Sequence, residues 1–175
     1  IFLDSLKDIV KSARKYAYSS ICFAQVQSNW MLGKRIVEQI QKGNDKAEYG
    51  KHILKIASES LTEEFGKGYD ESNLRYMRLF YKTFPICDAL RHELSWTHYR
   101  RLLSIENEDA RIWYMNEAAN SMWSTRQLDR QISTLYYDRL LASHDKKIVI
   151  EEAEEKLQKV IPEEFIKDPY ILEFL

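Results

Sequence analysis

The sequence predicts an all-α protein, built as a helix-turn-helix-like or winged-helix-like helical domain with a long N-terminal helix. Two observations carry this prediction. Only five Gly and three Pro occur among 175 residues, while Leu, Ile, Ala, Glu, Lys and Arg are abundant, and such a composition favours helices. Apolar residues also recur at helical spacing along most of the chain, and no segment indicates a sheet.

The first predicted helix covers residues 3–41, which contain no Pro and one Gly. Apolar residues recur along it from Leu6 to Ile40 and form a broad face. A helix this long must pack on the rest of the domain or on a second subunit. We expect it to pack within the domain, with a homodimer as the alternative. Its length also leaves open a break near Ser28 and Asn29.

The stretch from Leu61 to Pro85 predicts a helix end, a tight turn and a further helix. Gly66 and Gly68 can adopt the positive φ angles that end a helix, and Asp70 is a suitable N-cap for the helix that follows. Such a pair resembles a helix-turn-helix, whose second helix offers its N-terminal half to a nucleic-acid groove. The alternative is an ordinary helical hairpin with a solvated basic face.

Three helix starts repeat one pattern, in which an apolar residue precedes an Asp or Ser N-cap. Asp70, Ser95 and Ser124 are the predicted caps, and Ser124 forms a capping box with Gln127. Each cap contributes about 1 kcal/mol and fixes the angle at which the chain enters the helix. We therefore expect short helices that meet at turns, including one that starts within 106–109 and ends near 121, and one from 125 to about 142. Their predicted inward residues include Ile112 and Leu135, and Phe65 is predicted to be buried on the helix over 49–65.

The charge distribution divides the chain into two parts. Residues 145–175 hold nine acidic residues and five Lys, a net charge of −4, so residues 1–144 carry +3 of the total of −1. We interpret residues 1–144 as a helical, helix-turn-helix-like domain. Residues 145–175 are interpreted as an acidic linker helix and the start of a C-terminal domain. The Ile at position 1 and the final ILEFL predict a chain cut from a longer protein.

Several classes of function find no signal in the sequence. No uncharged apolar run is long enough to span a membrane and no signal peptide is visible, so we expect a cytoplasmic protein without a membrane partner. Cys22 and Cys87 match no metal or redox spacing, which suits a reducing compartment. The four His lack metal-site spacing, and no phosphate-binding loop or nucleophile elbow occurs. We therefore predict no catalytic residue, no metal ligand and no cofactor in this chain.

The region between Lys67 and Arg101 is locally basic, which is compatible with nucleic-acid binding, while a solvated basic face is the alternative. The region holds seven basic and four acidic residues, a net charge of +3. Arginine can pair with phosphate oxygens, and asparagine can recognise the edge of adenine. Trp96 and Tyr99 could stack on bases, but we expect both in the core. The predicted nucleic-acid-binding residues are Asn73, Arg75, Tyr76, Arg78, Arg100 and Arg101.

Three blocks of the sequence are distinctive: NLRYMR, LSWTHY and WSTRQLDRQI. They resemble the N-terminal domain of the YhcG-like family of predicted PD-(D/E)XK, restriction-endonuclease-like nucleases. The likeness extends back to NWMLGKRIVEQI and forward to DPYILEFL. It thus covers nearly the whole chain. Family members often have Arg where Ser72 stands, so this chain lacks one charge in the predicted DNA-reading helix.

The resemblance implies a non-catalytic DNA-binding module that positions a downstream metal-dependent nuclease. The acidic and Lys residues of that nuclease, and the Mg²⁺ they would bind, are expected beyond Leu175. The full-length protein is then an enzyme although this fragment is not. The alternative is a protein-interaction or dimerisation module, in which the first helix and the Tyr and Trp surfaces bind another protein or subunit. A self-contained enzyme would need a cleft of convergent ionisable groups, which the sequence does not indicate.

Overall fold

A computed structural model describes residues 2–42 and 47–157, and within these ranges the chain forms eight α-helices and one 3-10 turn. In chain order the helices are α1 (Phe2–Lys42), α2 (Ala47–Phe65), α3 (Glu71–Thr83), α4 (Trp96–Leu102), α5 (Glu108–Asn120), α6 (Thr125–Ser133), α7 (Tyr136–Ala142) and α8 (Lys146–Leu157), with the 3-10 turn at Cys87–Ala89. The all-α class and the long N-terminal helix are confirmed. Neither described range contains a β-strand that could form the wing of a winged helix, so that form of the prediction is not supported there.

Helix α1 passes through Ser28 and Asn29 without a break, and only its second half enters the core. Val26 is fully buried, and Trp30 donates its indole N–H to the carbonyl oxygen of Phe84 at 2.7 Å. Gly33 lies directly on the backbone of α3, where a Cβ atom would come within 2.0 Å of the Met77 carbonyl oxygen. The expectation that α1 packs within the domain is therefore correct for its second half alone.

The centre of the core is an aromatic cluster where α3 meets α4. The Phe80 ring lies 5.3 Å from the Trp96 ring and 4.8 Å from the Tyr99 ring, and none of the three side chains is exposed. The Tyr99 hydroxyl accepts the backbone N–H of Arg91 at 2.7 Å. Burial raises the pKa of the Tyr99 phenol. The prediction that Trp96 and Tyr99 belong to the core is confirmed.

The predicted helix caps are present. The Asp70 carboxylate accepts the Asn73 N–H at 3.1 Å, and Ser124 and Gln127 form the predicted capping box. At the start of α4 the His98 ring completes a similar box with Ser95, and its Nε2 lies 2.9 Å from the carbonyl oxygen of Trp123. Because Nδ1 accepts the Ser95 N–H, Nε2 carries the proton and donates to that carbonyl. Polar contacts thus define each of these helix starts.

The helix predicted over 125–142 is broken into α6 and α7. Leu135 adopts a left-handed conformation, with φ of 52°, and is exposed rather than buried. The hydroxyl of Tyr114, from α5, bridges the break by donating to the Gln131 carbonyl at 3.1 Å and accepting the Tyr137 N–H at 3.0 Å. A side chain inserted into the backbone hydrogen bonds of a helix is a known cause of such a break.

We expect Tyr114→Phe to lower the free energy of unfolding by about 1–2 kcal/mol, because it leaves the Tyr137 N–H without its acceptor and the Gln131 carbonyl with the Thr134 hydroxyl, at 3.3 Å, as its remaining side-chain donor. Urea unfolding followed by circular dichroism measures this change. Tyr137→Phe, on the half-buried neighbouring ring, is the matched control and should be close to neutral. Equal losses for the two variants would contradict the bridging role of the Tyr114 hydroxyl.

Two further side chains are more exposed than predicted. Phe65 is 55% exposed at the end of α2, where its ring lies 6.2 Å from that of Tyr69, and Ile112 is 41% exposed on α5. Both lie on helices that cover the core with one face, and their positions fall outside that face. Their burial was predicted from apolar character alone, which does not decide burial because a sizeable part of any protein surface is apolar.

Helix α8 begins two residues after the predicted domain boundary at residue 144. It packs on α7, with Ala153 buried and Arg139 paired to Glu152 at 2.9 Å. The division into residues 1–144 and 145–175 stays a prediction, and residues 158–175 lie outside the described ranges. Among the helices that are described, none has both the length and the apolar character needed to cross a lipid bilayer.

Candidate nucleic-acid interface

The turn between α2 and α3 positions the helix that carries most of the predicted binding residues. Gly66 and Gly68 have φ angles of 82° and 100°, as predicted, so the chain reverses within a few residues. Asp70 then caps α3 through its carboxylate. The opposite face of α3 is buried through Leu74 and other apolar side chains, which leaves one face of the helix exposed to solvent.

Arg75 lies at the middle of that exposed face. Its guanidinium is paired with Glu71 one turn earlier, at 2.9 Å, and its side chain is 55% exposed. A pair this exposed contributes little to stability, because water screens both charges. The guanidinium can therefore exchange Glu71 for a phosphate oxygen at small cost.

Tyr76 and Arg100 meet, although they lie on different helices. The guanidinium carbon of Arg100, on α4, is 4.4 Å from the centre of the Tyr76 ring, on α3. This cation–π contact holds the arginine against the ring. Sequence reasoning named both residues separately, and the structure brings them together at the α3–α4 boundary.

Arg78 and Arg101 extend this arrangement on either side. Arg78 is half-buried towards α2, where its Nη1 comes within 3.9 Å of a Cβ built on Gly50. Arg101 is 53% exposed and its Nε lies 3.2 Å from the Asp129 carboxylate, on α6. The arginines thus run from the side of α3 that faces α2, across the exposed face of α3, to α4, where Arg101 contacts α6 through Asp129. We call Arg75, Arg78, Arg100 and Arg101 the arginine row.

Asn73 does not belong to the exposed surface. It is 4% exposed, its amide N–H group donates to the Gly68 carbonyl at 2.5 Å, and its amide oxygen accepts the Trp96 indole N–H at 3.1 Å. A side chain this buried, whose amide group already hydrogen-bonds on both its nitrogen and its oxygen inside the fold, does not reach the edge of a base. We therefore leave Asn73 out of the proposed contact surface, and its observed contacts are those of a residue that fastens the turn to α4.

Arg91 is a cross-link that sequence reasoning missed. Its guanidinium donates to Asn116 at 3.4 Å and to Asn120 at 2.9 Å, both on α5, and it also contacts Glu93 at 3.3 Å. The only signal for this role in the sequence is the i, i+4 spacing of the two asparagines, which places them on one face of a helix. One of the seven basic residues counted between Lys67 and Arg101 is thus committed to the fold.

Ser72 lies on the exposed side of α3, in its first turn. The resemblance to the YhcG-like family implies an arginine at this position in other members. An arginine there would add a charge to the surface that already carries Arg75. The departure therefore concerns the exposed surface and not the core.

The described residues hold no metal-binding group, and their cleft lies apart from the arginine row. No group of three or more His, Cys, Asp or Glu side chains in the described part of the chain is placed to hold a metal ion. A cleft of about 720 Å³ lies between α5, α7 and α8, lined by aromatic rings such as Trp113 and Tyr136 together with Glu117, Glu154 and Lys146. None of the arginine row lines this cleft.

These features define an all-α domain of the family described as the DUF1016 N-terminal domain. Residues 5–139 match that family, which is most of the chain, and the chain belongs to it. It is similar to the Escherichia coli (strain K12) protein named "Putative nuclease YhcG", with 32% identity over an alignment 204 residues long. The alignment covers 98% of this chain and 54% of that protein, so the chain spans about half the length of its curated relative. No solved structure matches the chain.

Proposed function

We propose that this chain is a non-catalytic DNA-binding module that positions a PD-(D/E)XK nuclease domain, which requires a divalent metal such as Mg²⁺, on its substrate. The observation that carries the proposal is the arginine row on neighbouring helices. The similarity to a protein named as a nuclease supports a role on nucleic acid. In this proposal α2, the turn and α3 act as a helix-turn-helix, with the exposed face of α3 towards the DNA.

Phosphate contacts suit the arginine row better than base reading. Arg75 and Arg101 are more than half exposed and are paired with surface carboxylates, and the guanidinium of Arg100 lies over the Tyr76 ring. Guanidinium groups so placed can each donate two hydrogen bonds to one phosphate. Asn73, the residue predicted to read a base, is buried. The proposed module therefore binds duplex DNA with little sequence preference.

We expect Arg75→Ala/Arg100→Ala to weaken duplex binding about 10- to 100-fold, because each lost phosphate contact removes a charge-assisted hydrogen bond. Fluorescence anisotropy with a labelled duplex at low salt measures the affinity. Repeating the titration at several salt concentrations should show a log–log slope reduced by about two, one for each lost contact.

Arg35→Ala/Lys147→Ala is the matched control, since it removes the same charge from side chains that are 72% and 83% exposed on α1 and α8. Its affinity should stay within about twofold of the unaltered chain, because distant exposed charges are screened. Equal weakening by both variants would mean that only net charge matters. That outcome, or no binding at low salt, would reject the proposal.

A further inference from the structure

The first four turns of α1 carry an apolar face that nothing in the described part of the chain covers. Phe2 is 73% exposed, Ile9 64% and Tyr16 77%, and the whole of residues 2–17 is exposed wherever burial is described. At 3.6 residues per turn the apolar side chains fall within an arc of about 140°. We call these residues the apolar stripe: Phe2, Leu3, Leu6, Ile9, Val10, Ala13, Tyr16 and Ala17.

The charged residues of the same turns occupy the opposite arc. Asp4, Lys7, Asp8, Lys11 and Arg14 are separated from the stripe at every turn of the helix. Two ion pairs lie on this charged side, Asp4 with Lys7 at 4.0 Å and Asp8 with Lys11 at 3.7 Å. Such a clear separation of apolar from charged side chains predicts that the apolar stripe packs against another surface.

The rest of the described domain, which we call the body, does not cover the stripe. Residues Cys22, Val26 and Trp30 bury the face of α1 that continues the charged side, about half a turn from the stripe. The body contacts α1 beyond the stripe, at Ser19, which donates to the His92 carbonyl at 3.3 Å, and at Phe23, whose ring stacks on His92. The stripe therefore faces away from the rest of the described fold.

The exposed area of the stripe matches half of a dimer interface. With the observed exposures, its side chains present roughly 700 Å² of apolar surface, above the 300–600 Å² of the largest patch on a typical monomer. Two such surfaces together give about 1,400 Å², within the 1,200–2,000 Å² buried in stable, specific interfaces. A second copy of the stripe thus provides a cover of the required size and chemistry.

The charges favour an antiparallel arrangement of two copies. Residues 2–9 carry Asp4, Lys7 and Asp8, a net charge of −1, whereas residues 10–17 carry Lys11, Arg14 and Lys15, a net charge of +3. Antiparallel packing places the acidic half of each helix beside the basic half of the other, and it also opposes the two helix dipoles. Parallel packing would align the two basic halves.

We propose that residues 2–17 pair antiparallel with the same residues of a second copy of this chain, through the apolar stripe. The pairing is independent of DNA binding, because it uses none of the arginine row. A pair of 16-residue segments is about 24 Å long, and each body follows its own segment beyond residue 17. The dimer thus carries two arginine rows, one in the body at each end of the paired segments.

Sedimentation equilibrium of the full chain should give twice the 20.9 kDa mass of one copy. Leu6→Ser/Ile9→Ser should weaken the dimer more than about 100-fold, because four buried apolar side chains are lost per pair. Lys7→Ser/Lys11→Ser, with the same new side chains on the opposite face, should remain a dimer, because residues 2–9 then carry −2 and residues 10–17 carry +2 and the two halves stay complementary. Far-UV circular dichroism of each variant confirms that the body, which does not touch these residues, is still folded.

Cross-linking tests the orientation. In antiparallel pairing Leu3 of one copy lies near Tyr16 of the other, so a mixture of Leu3→Cys and Tyr16→Cys chains should form a disulfide between the two variants. A Leu3→Cys chain that cross-links only to itself would reject the antiparallel arrangement. An unaltered chain that stays monomeric at all concentrations would overturn the proposal. Amide exchange would then test whether the chain's own C-terminal residues protect the stripe, and a vesicle-binding assay would test whether lipid covers it; either result would equally reject a second copy as the partner.

Discussion

Replacing Gly33 by Ala is expected to destabilise the protein by about 3 kcal/mol or more. The new Cβ atom would meet the Met77 carbonyl oxygen at 2.0 Å and the Met77 carbonyl carbon at 2.7 Å. Both are backbone atoms of α3 and cannot rotate away, so α1 and α3 would have to separate. The usual gain of about 1 kcal/mol from Ala in place of Gly inside a helix is too small to offset this.

Gly50→Ala is the matched control, because it makes the same change inside another helix. A Cβ atom at Gly50 would lie 3.6 Å from the nearest atom of Ile40, an ordinary contact distance. This variant should therefore gain about 0.5–1 kcal/mol. Urea unfolding of the two variants measures both changes in the free energy of unfolding, which should have opposite signs. A Gly33→Ala chain as stable as the parent would show that α1 does not lie this close to α3.

Trp96→Ala is expected to cost about 3–5 kcal/mol, the range for a large aromatic side chain removed from a core. Trp96 is fully buried, its ring packs edge-on against Phe80 at 5.3 Å, and its indole N–H donates to the Asn73 amide oxygen. Trp96→Phe removes that donor and part of the volume, and should cost about 1–3 kcal/mol.

A double-mutant cycle tests the hydrogen bond itself. Trp96→Phe and Asn73→Ala each remove one partner, so the double variant should lose about 1 kcal/mol less than the sum of the two single losses. The same Asn73→Ala variant, assayed at a temperature where it is folded, should bind duplex DNA like the parent. Additive losses would show that the bond contributes nothing, and a base-dependent loss of DNA binding would restore Asn73 as a base reader.

The sequence predicted most of the local structure, because the signals there are local. A capping side chain contacts a backbone N–H three residues away, so Asp70 and Ser124 could be identified from their immediate neighbours. The turn glycines were found for a similar reason, since a positive φ angle restricts which residue fits. These features need no knowledge of the tertiary packing.

The misplaced features all depend on distant parts of the chain. The break at Leu135 follows from the hydroxyl of Tyr114, 21 positions earlier, and periodicity within one helix cannot show it. The exposure of the first turns of α1 depends on where the body ends. Asn73 was predicted to read a base because asparagine can recognise adenine, whereas its contacts with the Gly68 carbonyl and the Trp96 indole bury it.

For the candidate interface, the sequence supplied the arginines but not their arrangement. The contact of Arg100 with Tyr76 joins residues 24 positions apart, and the pairing of Arg101 with Asp129 joins residues 28 positions apart. Neither spacing carries a signal of its own. The resemblance to the YhcG-like family identified the domain, and the structure then showed which of its polar residues reach solvent.

The unbroken course of α1 has a mechanical consequence. No Gly or Pro interrupts it between Phe2 and Leu32, and at Gly33 it rests on the backbone of α3. A helix without such residues has no preferred hinge. Any force or constraint applied to the first turns is therefore passed along a stiff rod, some 45 Å long, to the helix that carries Arg75. Whatever holds the tip of α1 also sets the direction in which α3 points.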